Sequence, residues 1–424
     1  MNFILKGNIC YSKTPQTLKT LEGGYLICEN GVSKGAFLQI PESYSALPIT
    51  DYSDRIIIPG LCDLHVHAPQ YSFRGLGMNM ELLDWLNDYT FPEESRYADL
   101  DYARRAYRYF VDDLKHSATT RASIFATLHV PATMLLMEKL EQSGLVTLVG
   151  KVNMDRNSPD MLCEESAVKS LMDTETFIRQ ATEKFQNTMP IITPRFIPSC
   201  SEELMHGLSE LQKEYKLPVQ SHLSENPSEI AWVKELCPEA GSYGDAYNKF
   251  GLFGGEDTPT IMAHCIWSKD GEEELLKNNR VYVAHCPQSN TNLASGIAPV
   301  RRFLRNGIHV GLGSDVAAGY HTSIFRAMSD AIQVSKLYWR LLEQEDAPLT
   351  LAEAFYLGTI GGGSFFGKVG SFDEGYEFDA VVIDDSSITT PHQLSIESRL
   401  ERIIYLSDNS HIFDKYVRGN KIKN

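Results

Sequence analysis

Ile56-Ile57-Ile58-Pro59-Gly60-Leu61 runs into Cys62-Asp63-Leu64-His65-Val66-His67. The apolar run predicts a buried strand. Side chains alternate faces along a strand, so His65 and His67 point the same way, two residues' rise apart. Two imidazoles on one face at a strand end make a preformed pair of metal ligands.

The same design recurs downstream. Val219-Gln220-Ser221-His222, Ile261-Met262-Ala263-His264, Val281-Tyr282-Val283-Ala284-His285 and Val310-Gly311-Leu312-Gly313-Ser314-Asp315 each end a short apolar or small-residue run in a group able to bind metal. Five of the 12 histidines lie at such ends. Three further strands are predicted at Ala118–Phe125, Leu145–Val152 and Met189–Phe196, giving eight, centred near 62, 122, 149, 192, 220, 262, 283 and 311. Helical patterns fill the intervals at Asp101–Lys115, Glu164–Gln186, Glu202–Glu214 and Pro227–Leu236. Eight strands alternating with helices predict an α/β fold, a (β/α)8 TIM-like barrel with its active site at the C-terminal strand ends. An open doubly wound sheet would more often show a glycine-rich phosphate loop, and neither G-x-G-x-x-G nor G-x-x-x-x-G-K-[ST] occurs.

Outside the barrel, residues 1–57 and 370–424 carry short strand-like runs and turns, such as Glu29-Asn30-Gly31 and Arg418-Gly419-Asn420. Neither end has enough strands for a sheet of its own. They are expected to combine into a small β-sandwich beside a barrel of residues 58–369. The connection from Ala68 to about residue 100 is long and aromatic, with Tyr71, Phe73, Trp85, Tyr89 and Phe91, and reads as a lid or binding loop.

Composition removes several classes of partner. Lys+Arg 39 against Asp+Glu 55 gives a net charge of −16, which repels nucleic acid and anionic membrane. No apolar stretch approaches the length of a membrane span. The eight cysteines are scattered without a C-x-x-C pair, which reads as a reduced, cytoplasmic protein with buried thiols.

His65, His67 and His222 with Asp315 form a borderline-soft donor set that suits one Zn²⁺ with a position open for water. Such an ion lowers the pKa of its water from 15.7 to roughly 7. Glu225, three residues after His222, is placed to move a proton between that water and a leaving group. The absence of H-E-x-x-H and of P-C-x-x-C excludes the common metalloprotease site and the cytidine-deaminase type of site.

On His65-Val66-His67, His222, His264 and Gly313-Ser314-Asp315 the chain resembles the amidohydrolase superfamily. Longer strings, among them PGLCDLHVHAPQYSFRG (59–75), LLDWLNDYTFPEE (82–94), QSHLSEN (220–226), AHCPQSN (284–290) and GLGSDVAAGY (311–320), narrow the resemblance to the guanine deaminases within it. The resemblance implies hydrolysis of guanine to xanthine and ammonia in a homodimer. It implies zinc ligation by His65, His67, His222 and Asp315, and proton transfer by Glu225 and Asp315. It further implies substrate polarisation by His264, and recognition of the purine by Gln70, Arg195 and Phe196 together with the groups around the metal. A guanidinium fork matches the O6 and N7 acceptors of guanine, and a phenyl ring can stack on the base. A relative acting on a pterin or triazine, or a barrel that has lost catalysis, are the other readings the residues allow. His285 ends a strand outside the implied ligand set and is expected to support the site from behind. Arg121, a charge inside a predicted barrel strand, is unexpected there.

Overall fold

The computed structural model describes residues 1–269 and 271–423. The eight barrel strands are Leu61–His67, Thr119–Phe125, Val146–Gly150, Thr188–Pro190, Val219–Leu223, Thr260–His264, Tyr282–His285 and His309–Leu312. Strands one to four pair in parallel, as do five to eight. A bridge between Ile192 and Val219 joins the two halves. The ring closes where the Asp315 amide donates to the His65 carbonyl at 2.8 Å and the His67 amide to the Val316 carbonyl at 3.1 Å. Strand four is shorter than the sequence suggests. Pro190 and Pro194 lack the amide a ladder needs. The run therefore breaks, and Thr193–Pro194 pairs instead with Val152–Asn153.

Helices occupy the predicted intervals at Leu100–His116, Ala167–Lys184, Glu202–Tyr215 and Pro227–Leu236. Their starts have local causes. The side chains of Asp99, Ser166, Ser201 and Asn226 each accept an amide of the first turn.

The terminal segments combine into one β-unit, hydrogen-bonded as a continuous seven-stranded sheet. Its order is Asn420–Ile422, Ile412–Val417, Ala380–Ile383, Ile49–Pro59, Asn2–Thr14, Thr17–Glu29, Val32–Phe37. One apolar face buries Leu5, Ile9, Leu26, Phe372, Phe378 and Val382. The helix Ile396–Leu406, unforeseen in the sequence, packs against both Ile324–Leu341 and Asn2–Thr14. The long connection after strand one is also no irregular loop. Short helical turns fill it at Ala68–Phe73, Leu82–Trp85, Leu86–Thr90, Phe91–Ser95 and Arg96–Ala98.

Arg121 lies near the start of strand two, at the barrel end away from the histidines. It is 1 % exposed and chelates Asp379 through Nε (2.6 Å) and Nη2 (3.0 Å), with Glu377 at 2.9 Å. Its charge is thus matched by the segment leading into the terminal sheet, which removes the apparent conflict with burial.

Gly60 links that sheet to strand one. A Cβ there would stand 2.2 Å from Thr120 Oγ1 and 2.4 Å from its Cγ2. Gly60→Ala is therefore expected to destabilise the fold by about 1–3 kcal/mol through overpacking. Chemical denaturation checks this, and an unchanged midpoint would contradict it.

Candidate active site

The groups at the C-terminal strand ends meet over one point. His67 Nε2 lies 3.2 Å from His65 Nε2 and 3.2 Å from His222 Nε2. Asp315 Oδ1 lies 3.3 Å from His65 Nε2 and 3.5 Å from His67 Nε2. Ligands about 2.0–2.1 Å from a tetrahedral zinc stand about 3.3 Å from one another. The donor set and its spacings therefore fit such an ion. His222 Nδ1 lies 2.6 Å from the Arg195 carbonyl, a contact that turns Nε2 toward the shared point.

The backbone contributes to this convergence. Ser224, His264, Cys265 and Asp315 all have positive φ, between 46° and 74°, at the ends of strands five, six and eight. Left-handed turns in non-glycine residues are uncommon and concentrate at functional sites. Here they bend the chain so that Glu225, His264 and Asp315 face one cleft.

Burial sets the protonation states. It pushes His67 and His222 far below the ordinary histidine value, with the neighbouring His65 adding to the effect, so both present neutral ligand nitrogens. Glu225 moves the other way. Burial, and then the nearby Asp315 charge, raise it well above the usual carboxylate range. Burial also works to raise Asp315, but His65, His264 and His67 together hold it below its ordinary value. The two carboxyl groups of one cleft are thus shifted in opposite directions, Glu225 toward its protonated form and Asp315 toward carboxylate.

His264 Nε2 stands 3.4 Å from Glu225 Oε2 and 3.8 Å from Asp315 Oδ2. Its Nδ1 is 2.9 Å from Asn290 Oδ1, which leaves Nε2 as the acceptor. His264 also falls within a possible ligand group with His65 and His222. His285 is buried and does not reach this cluster. Burial, and then His264, lower its pKa to about 3.

Gln70, Arg195 and Phe196 line the same cleft of about 450 Å³, part of it open to solvent, with Leu82, Trp85 and Leu86 closing the apolar side. Sequence reasoning missed three carboxylates here. Glu94, 2 % exposed, accepts from Gln70 Nε2 at 2.9 Å and from Arg195 Nη1 at 2.7 Å. Glu229 accepts from Tyr243 and from the Glu225 amide, and burial followed by the Glu225 charge raises it to about 7. Asp63 accepts from the amides of His65 and Ser314, bracing a ligand from each of strands one and eight. The one signal available was proximity in sequence to stronger motifs.

The sequence profile of the Amidohydrolase family matches residues 56–421. The chain belongs to the amidohydrolase family. Among members with assigned activities it is 39% identical to the guanine deaminase of Dictyostelium discoideum over 383 residues, covering 88% of this chain and 84% of that one. It is 40% identical to the probable guanine deaminase of Schizosaccharomyces pombe over 424 residues, covering 97% of this chain and 76% of that one. The crystal structure of a guanine deaminase from C. acetobutylicum, with guanine bound in its active site, superposes with a TM-score of 0.96 at 49% identity over the whole of both chains. As an amidohydrolase the chain is a metal-dependent enzyme.

Proposed function

We propose that the chain hydrolyses guanine at C2 to xanthine and ammonia, with a single zinc ion held by His65, His67, His222 and Asp315. One observation carries the reading. A single cleft joins the donor cluster and its oppositely tuned carboxyl groups to a buried guanidinium, an amide and a phenyl ring. Metal chemistry therefore adjoins groups suited to a flat, acceptor-rich base. The guanine-bound relative at 49% identity points to the same base.

When bound, the ion supplies a positive charge that lowers the pKa of a coordinated water from 15.7 to about 7. Asp315, kept as carboxylate, accepts a proton as the C2–O bond forms. Glu225, kept as the acid, delivers a proton to the purine ring, and His264 beside it polarises the base. Glu225, now a carboxylate, takes the proton of the hydroxyl newly bonded to C2 and passes it to the exocyclic nitrogen. That oxygen becomes the 2-oxo group, the C2–N bond breaks, ammonia leaves, and the proton held by Asp315 returns Glu225 to its acid form. Arg195 fits O6 and N7, Gln70 reads another polar edge, and Phe196 offers a face for the ring.

Among the described residues no helix is long and apolar enough to cross a membrane. The acidic balance disfavours nucleic acid and anionic membrane as partners, and a cytoplasmic homodimer acting on a small molecule is what the resemblance to the guanine deaminases implies.

Purified protein incubated with guanine is expected to release xanthine and ammonia one for one. A chelator should abolish release and added zinc restore it. Metal-loaded protein that leaves guanine intact would overturn the reading.

A further inference from the structure

We propose that Glu94 is a positioning residue that sets which base the cleft accepts, an assignment that rests on the guanine reading above. Glu94 comes from the turn Phe91–Ser95, Gln70 from Ala68–Phe73, and Arg195 follows Thr193–Pro194. Three separate elements thus meet at one carboxylate, and all three side chains are no more than 4 % exposed.

Each oxygen of Glu94 has one partner, Oε1 taking Gln70 Nε2 and Oε2 taking Arg195 Nη1. The Gln70 amide is oriented as a result. Its Nε2 faces Glu94 and its Oε1 accepts from the Ala317 amide at 3.3 Å. What Gln70 shows the cleft is therefore fixed as one N–H and one lone pair in a known order. Arg195 is fixed as well. Among the described residues its guanidinium bonds protein through Nη1, to Glu94 and weakly to Met154, so Nε and Nη2 stay available to a ligand. The paired carboxylate also offsets the guanidinium charge, which favours a neutral base carrying an acceptor over an anion.

Glu94→Gln tests the assignment through the asymmetry of an amide. Arginine accepts no hydrogen bond, so the oxygen of the substituted amide must turn to Arg195 and its NH₂ must face Gln70. Gln70 then flips its oxygen toward position 94, which sets its own NH₂ against the Ala317 amide. The variant cannot keep both contacts of Gln70, and Arg195 loses its charged anchor.

The measurement uses metal-loaded protein and two non-hydrolysable bases, hypoxanthine with the 6-oxo acceptor and purine without it. Calorimetry is expected to show hypoxanthine bound more tightly than purine by the unaltered chain. Glu94→Gln should shrink that ratio about tenfold and raise the guanine KM more than it lowers kcat. Glu94→Asp, which keeps the charge on a shorter arm, should shift the ratio in the same direction by less, and it carries the test if Glu94→Gln does not fold. Adding Glu94→Gln to Arg195→Ala should cost nothing further, because without the guanidinium the substituted amide is free to turn its oxygen to Gln70 and keep that side chain's order. Ratios within twofold of the unaltered chain in both single variants, or additive losses in the double variant, would overturn the assignment. Failure of the unaltered chain to deaminate guanine would instead sink the functional reading, with the binding ratio still reporting on Glu94.

Discussion

Glu225→Gln is expected to lower guanine turnover by about 10²–10⁴-fold, the usual contribution of a positioned acid–base group, while zinc content stays at the level of the unaltered protein. The amide is nearly the same shape as the carboxyl group. It can still accept from Ser295 and donate toward His264 Nε2, the two groups facing Glu225 in the cleft. Glu225 stands outside the spacing that unites His65, His67, His222 and Asp315, so the donor set survives intact. What disappears is a proton held within the cleft by burial. Metal analysis and single-turnover kinetics on the same sample separate the two properties. Near-normal turnover would remove Glu225 from the chemistry, and lost zinc would make it a ligand.

Arg121→Ala is expected to destabilise the fold by about 3–5 kcal/mol, the cost of stranding a buried countercharge. Asp379 is 1 % exposed and would lose both bonds of its guanidinium partner. It would retain only the Arg418 amide at 2.8 Å. The loss is a large share of the 5–15 kcal/mol that typically separates a folded domain from its unfolded chain. Arg121→Lys keeps the charge without the two-pronged geometry and should cost less. Urea denaturation of the three proteins gives the ranking. A loss under about 1 kcal/mol in Arg121→Ala would mean that this pair does not hold the barrel to the terminal sheet.

The barrel was legible because its signals are local. Each strand is a short run of small or apolar residues; three of the eight end in His, and His222 and Asp315 lie within three residues of the ends of two more, so periodicity and chemistry fall close together. Caps at Asp99, Ser166, Ser201 and Asn226 mark the helix starts just as locally. The misses share a different character. A glutamate in an unaligned sequence reads as solvated surface, because charged residues are almost never buried without a partner. The partners of Glu94 lie 24 and 101 residues away. Those of Arg121 lie 256 and 258 residues away, so nothing near it in the chain announces the match. The pairing within the terminal sheet was hidden for a related reason. A block of three C-terminal strands meets a block of four N-terminal strands at Ile49–Pro59, and strand patterns give the count but not the partner. Strand four broke at prolines whose effect was readable residue by residue, though the apolar run around them suggested continuity.

Ile49–Pro59 lies between Asn2–Thr14 on one side and Ala380–Ile383 on the other. During synthesis the first of these neighbours is available at once, whereas the second leaves the ribosome more than three hundred residues later. Every barrel strand has by then emerged, still without the acidic pair that neutralises Arg121. Assembly of this enzyme is consequently a late event, and nascent chains cut short of residue 377 carry an unmatched charge and an open sheet edge, the features that draw chaperones and promote clumping.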